Sequence, residues 1–240
     1  FPIHHGRTGD FLLQKHLGDW APGHAAARPV VAPFEVQPHQ GTTIYWVDRP
    51  GATQSYVMLG NLAPAWDVDR QTVRSLSNDV LGGGFTSRLN MNLREDKGYT
   101  YGARSSLVAR KRGGMFLARA SVKSERTADS LTEFMNEIRG IVGERPITEV
   151  EFGNTRSRSI GSYPSGFEGL GGVVGRFAWA DAYGMPEGWM AGHRQRVEGA
   201  SLEEAQSELV GILDPDNLAI VIVGDRNGEI ATGGTRDGRD

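Results

Sequence analysis

Apolar positions along the chain switch between two spacings. Over TTIYWVD (42–48) and SYVMLGN (55–61) the residues are β-branched or aromatic, which predicts two strands. Arg49-Pro50-Gly51 marks the loop between them. The period then lengthens. Val73, Leu76, Val80 and Leu81 form one stripe, so 67–81 is predicted helical with Gly82 as its stop. A second helix is expected over 86–96, with Leu89, Met91 and Leu93 partly buried. Ser105 to Arg110 and Met115 to Ser121 read as a hairpin joined through Lys111-Arg112-Gly113-Gly114. Ala128, Leu131, Phe134, Met135, Ile138 and Val142 recur at helical spacing over 126–142. Another helix starts at Thr148, with Glu149 and Glu151 well placed in its first turn. Residues 165–184 are glycine-rich and then apolar, and a helix running under the sheet is expected there. Ser201 with Glu204 forms a capping box that opens a helix to about Ile212. LAIVIV (218–223) is continuously apolar, as in a central strand buried on both faces or nearly so.

The order β-β-α-α-β-β-α-α-α-α-β pairs strands antiparallel and groups helices in blocks. That argues for an α+β two-layer sandwich, a mixed, mainly antiparallel sheet covered by helices. Ahead of this body, FLLQKHLGDW (11–20) reads as a short amphipathic helix with Leu12, Leu13 and Leu17 on one side and Gly18 at its end. Its partners are expected outside the body. An extended linker rich in Ala, Pro and Gly follows over 21–41. The main domain then runs over 42–226, and 227–240 is a loose tail.

Composition removes several function classes. The net charge is −3, so no basic field exists to hold a nucleic acid. The chain has no cysteine, which excludes disulfides, thiolate zinc sites, iron–sulfur clusters and cysteine nucleophiles. No apolar run approaches the roughly 20 residues that span a bilayer, so no membrane insertion is expected. The chain opens on Phe1 rather than methionine, which suggests a processed product or an excised piece.

The histidines stand at 4, 5, 16, 24, 39 and 193, none at metal-ligand spacing from another, and no zinc site is expected in this chain. No G-x-S-x-G elbow is present, and Asp214-Pro215-Asp216 reads as a turn. Gly82-Gly83-Gly84 follows a helix and precedes no lysine, unlike a phosphate loop. It is either a helix end with a tight turn or a turn lining a cleft. Arg94-Glu95-Asp96-Lys97 can be a solvated helix end with local ion pairs. Alternatively, the Arg94 guanidinium holds a ligand carboxylate or carbonyl, and Tyr101 adds a phenolic donor to the same oxygen.

VLGGGFTSRLNMNLREDKGYTYG (80–102) resembles the signature of the C-terminal domain of the M16 zinc metallopeptidases, the insulinase, pitrilysin and processing-peptidase family. The family pattern R-E-x-x-G-x-x-Y stands here as Arg94, Glu95, Gly98 and Tyr101. LLQKHLGDW is similar to the helix that closes the preceding family domain, and VDRPGATQSYVMLGN to the entry of the next. SIGSYPSGFEGLGG, YGMPEGW and PDNLAIVIVGD match in order.

The resemblance implies a LuxS/MPP-like metallohydrolase fold. It also implies that residues 1–20 are the tail of a preceding M16 domain. It makes this chain the half without zinc, since the inverted HxxEH motif is absent. Zinc would sit in an HxxEH-bearing partner domain or subunit. Arg94 and Tyr101 would bind the peptide substrate and stabilise the tetrahedral oxyanion, and Gly82, Gly83 and Gly84 would line the substrate chamber. Bacterial relatives of this kind are often exported, which leans toward the periplasm. The alternatives are a structural subunit or a peptide-binding homologue of the family.

Overall fold

The computed structural model describes residues 11–12, 14–19 and 40–227. The chain divides into two compact units, Phe1–Gln37 and Pro38–Asp240. In the first, residues 11–12 and 14–17 are helical, and the Gly18 N–H donates to the Gln14 carbonyl at 3.0 Å. Of the linker expected at 21–41 only residues 40 and 41 are described, and of the tail expected at 227–240 only residue 227; His4, His5, His24 and His39 also lie outside the described residues.

The second unit is a five-stranded sheet with helices packed on one face. Its strands are β1 (Thr43–Asp48), β2 (Gln54–Ala63), β3 (Thr100–Arg110), β4 (Gly113–Lys123) and β5 (Ala219–Gly224). They lie in the order β1-β5-β2-β4-β3. β1 runs parallel to β5, and all other neighbours are antiparallel. The sheet is therefore mixed and mainly antiparallel, as the strand pattern predicts.

Alternation sets the two faces. Val57 and Leu59 of β2, Phe116, Ala118, Ala120 and Val122 of β4, and Ile220 and Ile222 of β5 are buried. Against them pack Leu76 and Leu81, Leu89 and Leu93, Phe134 and Ile138, Phe152 and Leu209. The other face carries Tyr45, Val47, Tyr56, Leu62 and Met115, all exposed. β5 is thus buried on one face and half-buried on the other, not on both as its apolar run suggests. The covering helices reach only one side.

The helices are α1 (Gln71–Asn78), α2 (Arg88–Asn90), α3 (Thr127–Val142), α4 (Glu149–Ser162), α5 (Leu170–Tyr183), α6 (His193–Gly199) and α7 (Leu202–Ile212). α4 and α7 begin with the reciprocal capping boxes Thr148/Glu151 and Ser201/Glu204. Several expectations need correction. α1 ends in a π-helical turn over Asp79–Gly83, and α2 continues as π-helix over Met91–Asp96. The hairpin strands are longer than 105–110 and 115–121, and only Lys111 and Arg112 lie between them. α5 does not run under the sheet, because none of its residues is buried. α6 carries no apolar period long enough to announce itself.

Two polar anchors fix the segment from Gly82 to Asp96. Asn90 is buried; its side-chain amide donates to the Phe85 carbonyl (2.7 Å) and accepts from the Ala103 N–H of β3 (3.3 Å). Arg88 grips Glu151 through two bonds of 2.6 and 2.7 Å, and donates to the Arg145 and Pro146 carbonyls.

Two outcomes follow. Asn90→Leu keeps the side-chain branching but leaves the Ala103 N–H and the Phe85 C=O unpaired, so it should cost about 1–3 kcal/mol in urea unfolding. Burial alone would raise the Glu151 pKa from its usual 4.5, but the bonds from Arg88 and Thr148 outweigh it and hold the group at about 2. A depressed carboxylate contributes stability that is present above its unfolded pKa and lost as pH falls toward the folded value. Between pH 5 and pH 2 the chain should lose about 1–2 kcal/mol from this group, after discounting for its partial exposure. Glu151→Gln should flatten that part of the pH profile.

Candidate functional site

The seven-residue step from Arg94 to Tyr101 has a structural cause. The π-helical segment ends at Gly98, whose φ of +63° is left-handed and suits glycine. The Gly98 N–H donates to the Arg94 carbonyl (3.2 Å) and the Tyr99 N–H to the Leu93 carbonyl (2.9 Å), which closes the helix end. The chain then enters β3, where the register against β4 is irregular. Thr100 pairs with Val122 and Ala103 with Ala120, so Tyr101 and Gly102 together oppose Ser121. This is a β-bulge, which bends a strand and re-aims its side chains. Thr100 holds it: the hydroxyl donates to the Ser121 carbonyl (2.6 Å) and accepts from the Gly102 N–H (3.1 Å). Tyr101 is left 89% exposed.

Arg94 and Tyr101 line one cleft of about 340 Å³. It lies where β2 begins, β4 ends and β3 begins, and Gln54, Lys123 and Tyr99 complete its wall. The Arg94 guanidinium sits 4.7 Å from the centroid of the Phe85 ring, a cation–π platform. Its ion pair with Glu95 (3.1 Å) is between two side chains about two-fifths exposed. Such a surface pair contributes little, so a ligand oxygen can displace it.

The neighbouring turn is fixed to α3. The Asn92 side chain donates to Glu133 (3.0 Å) and Glu137 (2.7 Å), and Lys97 pairs with Glu133 (3.2 Å). Hydrogen bonding to Glu133 raises the Lys97 pKa, and the Asn92 bond first among several lowers that of Glu133.

Gly82, Gly83 and Gly84 are not in the wall of this cleft. Gly82 is buried against β3, where a Cβ would collide with the Ser105 backbone. The close approach lets Asn78 exchange hydrogen bonds with Ser105 (2.8 and 3.3 Å). A Cβ at Gly83 would meet the Asp79 carboxylate, and one at Gly84 the Arg158 guanidinium. Burial pushes the Asp79 carboxyl above its usual pKa, and Arg158 opposes that.

Sequence reading missed Thr100, Asn90 and Phe85. Phe85 had a local signal, an aromatic directly after three glycines. Thr100 and Asn90 had none, since their partners stand in β3 and β4.

The cleft offers donors. Arg94, Tyr101 and Lys123 bring donor groups to the wall, and Glu95 is the one carboxylate in it. Zinc does not fit this set, which holds one carboxylate and no histidine. Among the described residues no three His, Asp or Glu side chains come together as a metal-binding group. No helix among them is long and apolar enough to cross a membrane.

Comparison with known proteins agrees with this architecture. The family described as peptidase M16 inactive domain matches residues 11–158. A zinc protease of Streptomyces coelicolor is 29% identical over 123 residues, 51% of this chain and 27% of that protein. The solved peptidase M16 inactive domain from Pseudomonas fluorescens superposes with a TM-score of 0.72 at 23% identity, over 82% of this chain and 46% of that one. A protease from Helicobacter pylori gives 0.77 at 19% identity, over 91% of this chain and 52% of that one. The chain thus spans about a quarter of the first relative and about half of the two solved ones. With its sheet, its helical layer and the glycine-to-tyrosine segment all in place, this chain belongs to the peptidase M16 family as an inactive domain.

Proposed function

We propose that this chain is the substrate-gripping half of an M16-type zinc peptidase. Arg94 and Tyr101 bind a peptide carbonyl near the scissile bond and stabilise the oxyanion of the tetrahedral intermediate. The observation that carries this reading is the bulge at Tyr101-Gly102, which leaves an otherwise unpartnered phenol in the cleft that Arg94 also lines. A purely structural subunit has no need of so exposed a phenol. Phe85 supports Arg94 from below, and Gly82 to Gly84 shape the substrate side by fixing the turn that presents Phe85. The described residues form no zinc site, and in this reading metal and general base belong to an HxxEH-bearing partner domain or subunit.

The guanidinium offers a planar fork and the phenol a single O–H. Both are uncommitted to buried carboxylates and meet an incoming oxygen without reorganising the core. Binding that strengthens as charge builds on that oxygen lowers the barrier rather than only the KM.

The test combines the chain with an HxxEH-bearing M16 partner and a quenched peptide. Cleavage should appear, and a chelator should abolish it. Arg94→Ala and Tyr101→Phe should each lower kcat by about 10²–10³-fold with the circular dichroism spectrum unchanged. Wild-type turnover in both variants overturns the assignment. Thr100→Val, which loses the hydroxyl that holds the bulge, should lower kcat by about tenfold while the chain still folds.

A further inference from the structure

Beneath α5 lies a second cleft, of about 1010 Å³, that the Arg94–Tyr101 chemistry does not use. It opens between α5 and the layer formed by α1, α4 and the end of β3. One wall is aromatic. Trp66 meets Trp179 edge-on at 4.8 Å between ring centroids and Tyr183 at 5.0 Å, and Trp179 reaches Trp189 at 5.6 Å. Gly171, Gly172 and Gly175, on the same helix as Trp179 and Tyr183, also line the cleft and put no side chain into it. α5 thus gives the cleft its glycines together with Arg176, Trp179 and Tyr183, while Leu170, Val174 and Phe177 are exposed.

The charge of this cleft is one-sided. Although the chain holds more acidic than basic residues, no aspartate or glutamate is in the wall, while Arg110 and Arg176 are. Arg176 is positioned without a carboxylate. It donates to the Gly166 carbonyl (3.2 Å) and lies over the Tyr163 and Phe167 rings at 5.0 and 4.7 Å. His193 is stacked on Tyr163 at 3.7 Å, and burial, with Arg196 and Arg176 adding to it, lowers its pKa. The indole N–H groups of Trp66 and Trp189 are buried without an acceptor. Two arginines with no carboxylate in the wall, and two indole donors without an acceptor, beside stacked aromatic rings, match a ligand with an apolar body and an acidic end.

We propose that this cleft binds a carboxylate attached to an aromatic or branched apolar group, with the apolar body against Trp179 and the carboxylate toward Arg176. Two sources share that chemistry: the free C-terminus of a peptide ending in such a residue, and a free small-molecule acid.

Three of the five tryptophans line the cleft, so their fluorescence, excited at the red edge of indole absorption, reports occupancy. The probes are N-acetyl-Gly-Phe as the free acid, the same peptide as the C-terminal amide, and 3-phenylpropionate. The acid should give a saturable change, and the amide should bind about tenfold weaker or not at all. Tighter binding of the peptide acid identifies a chain terminus as the source, and tighter binding of 3-phenylpropionate a free acid.

Gly175→Leu blocks the space without a clash, because a Cβ there meets nothing within 4 Å, and leucine favours the helix. It should abolish the change while the melting temperature holds or rises. Arg176→Gln should weaken the acid and leave the amide where it was. Arg94→Ala should bind like the parent chain, so failure here and failure of the peptidase reading remain separate. Equal binding of acid and amide, undiminished binding in Gly175→Leu, or no saturable change with either acid overturns the proposal.

Discussion

One side-chain amide ties the candidate site together. Asn90 is reached from three directions: by its own helical segment, by the turn at Phe85 and by strand β3 at Ala103. Its bonds are buried, where an unmade hydrogen bond is expensive and a made one is geometrically strict. Phe85 lies under Arg94, and Ala103 follows the bulge that exposes Tyr101. The relative position of guanidinium and phenol is therefore set by core bonding. Their visible surface partner, Glu95, holds Arg94 only loosely.

A second layer of restraint sits below. Arg88 fastens the start of the same segment to the capping box of α4, and Asn92 fastens its middle to α3. The segment is helical, yet its hydrogen bonds take the wider π spacing, a form that often accompanies functional positions. It forms a bracket between helical layer and sheet, with Arg94 near its end and Tyr101 just beyond it in β3.

What the sequence told and what it withheld divide along a physical line. The β-branched and aromatic run of β2, the helical stripe of α3 and the capping box at Ser201 depend on near neighbours, so each was legible in the sequence, whereas Thr148 read as a helix start without its reciprocal box. Resemblance supplied the pair Arg94 and Tyr101. The bulge was hidden because it exists only against Ser121, some twenty residues onward. The π turns were hidden because their buried Leu89 and Leu93 still fit an ordinary helical period. α5 misled in the opposite sense. Its apolar residues suggested burial, but Leu170, Val174 and Phe177 are exposed, and Trp179 and Tyr183 line the cleft beside the glycines.

The bulge also makes the site a matter of counting. Two residues stand opposite one, so the loss of a single residue between Thr100 and Ala103 would let the ladder run on without interruption. The hydrophobic layers would hardly register the change, since neither Tyr101 nor Gly102 belongs to them. On the proposed reading, one three-base deletion would silence the grip and keep the sandwich intact, a short evolutionary route to a mere scaffold.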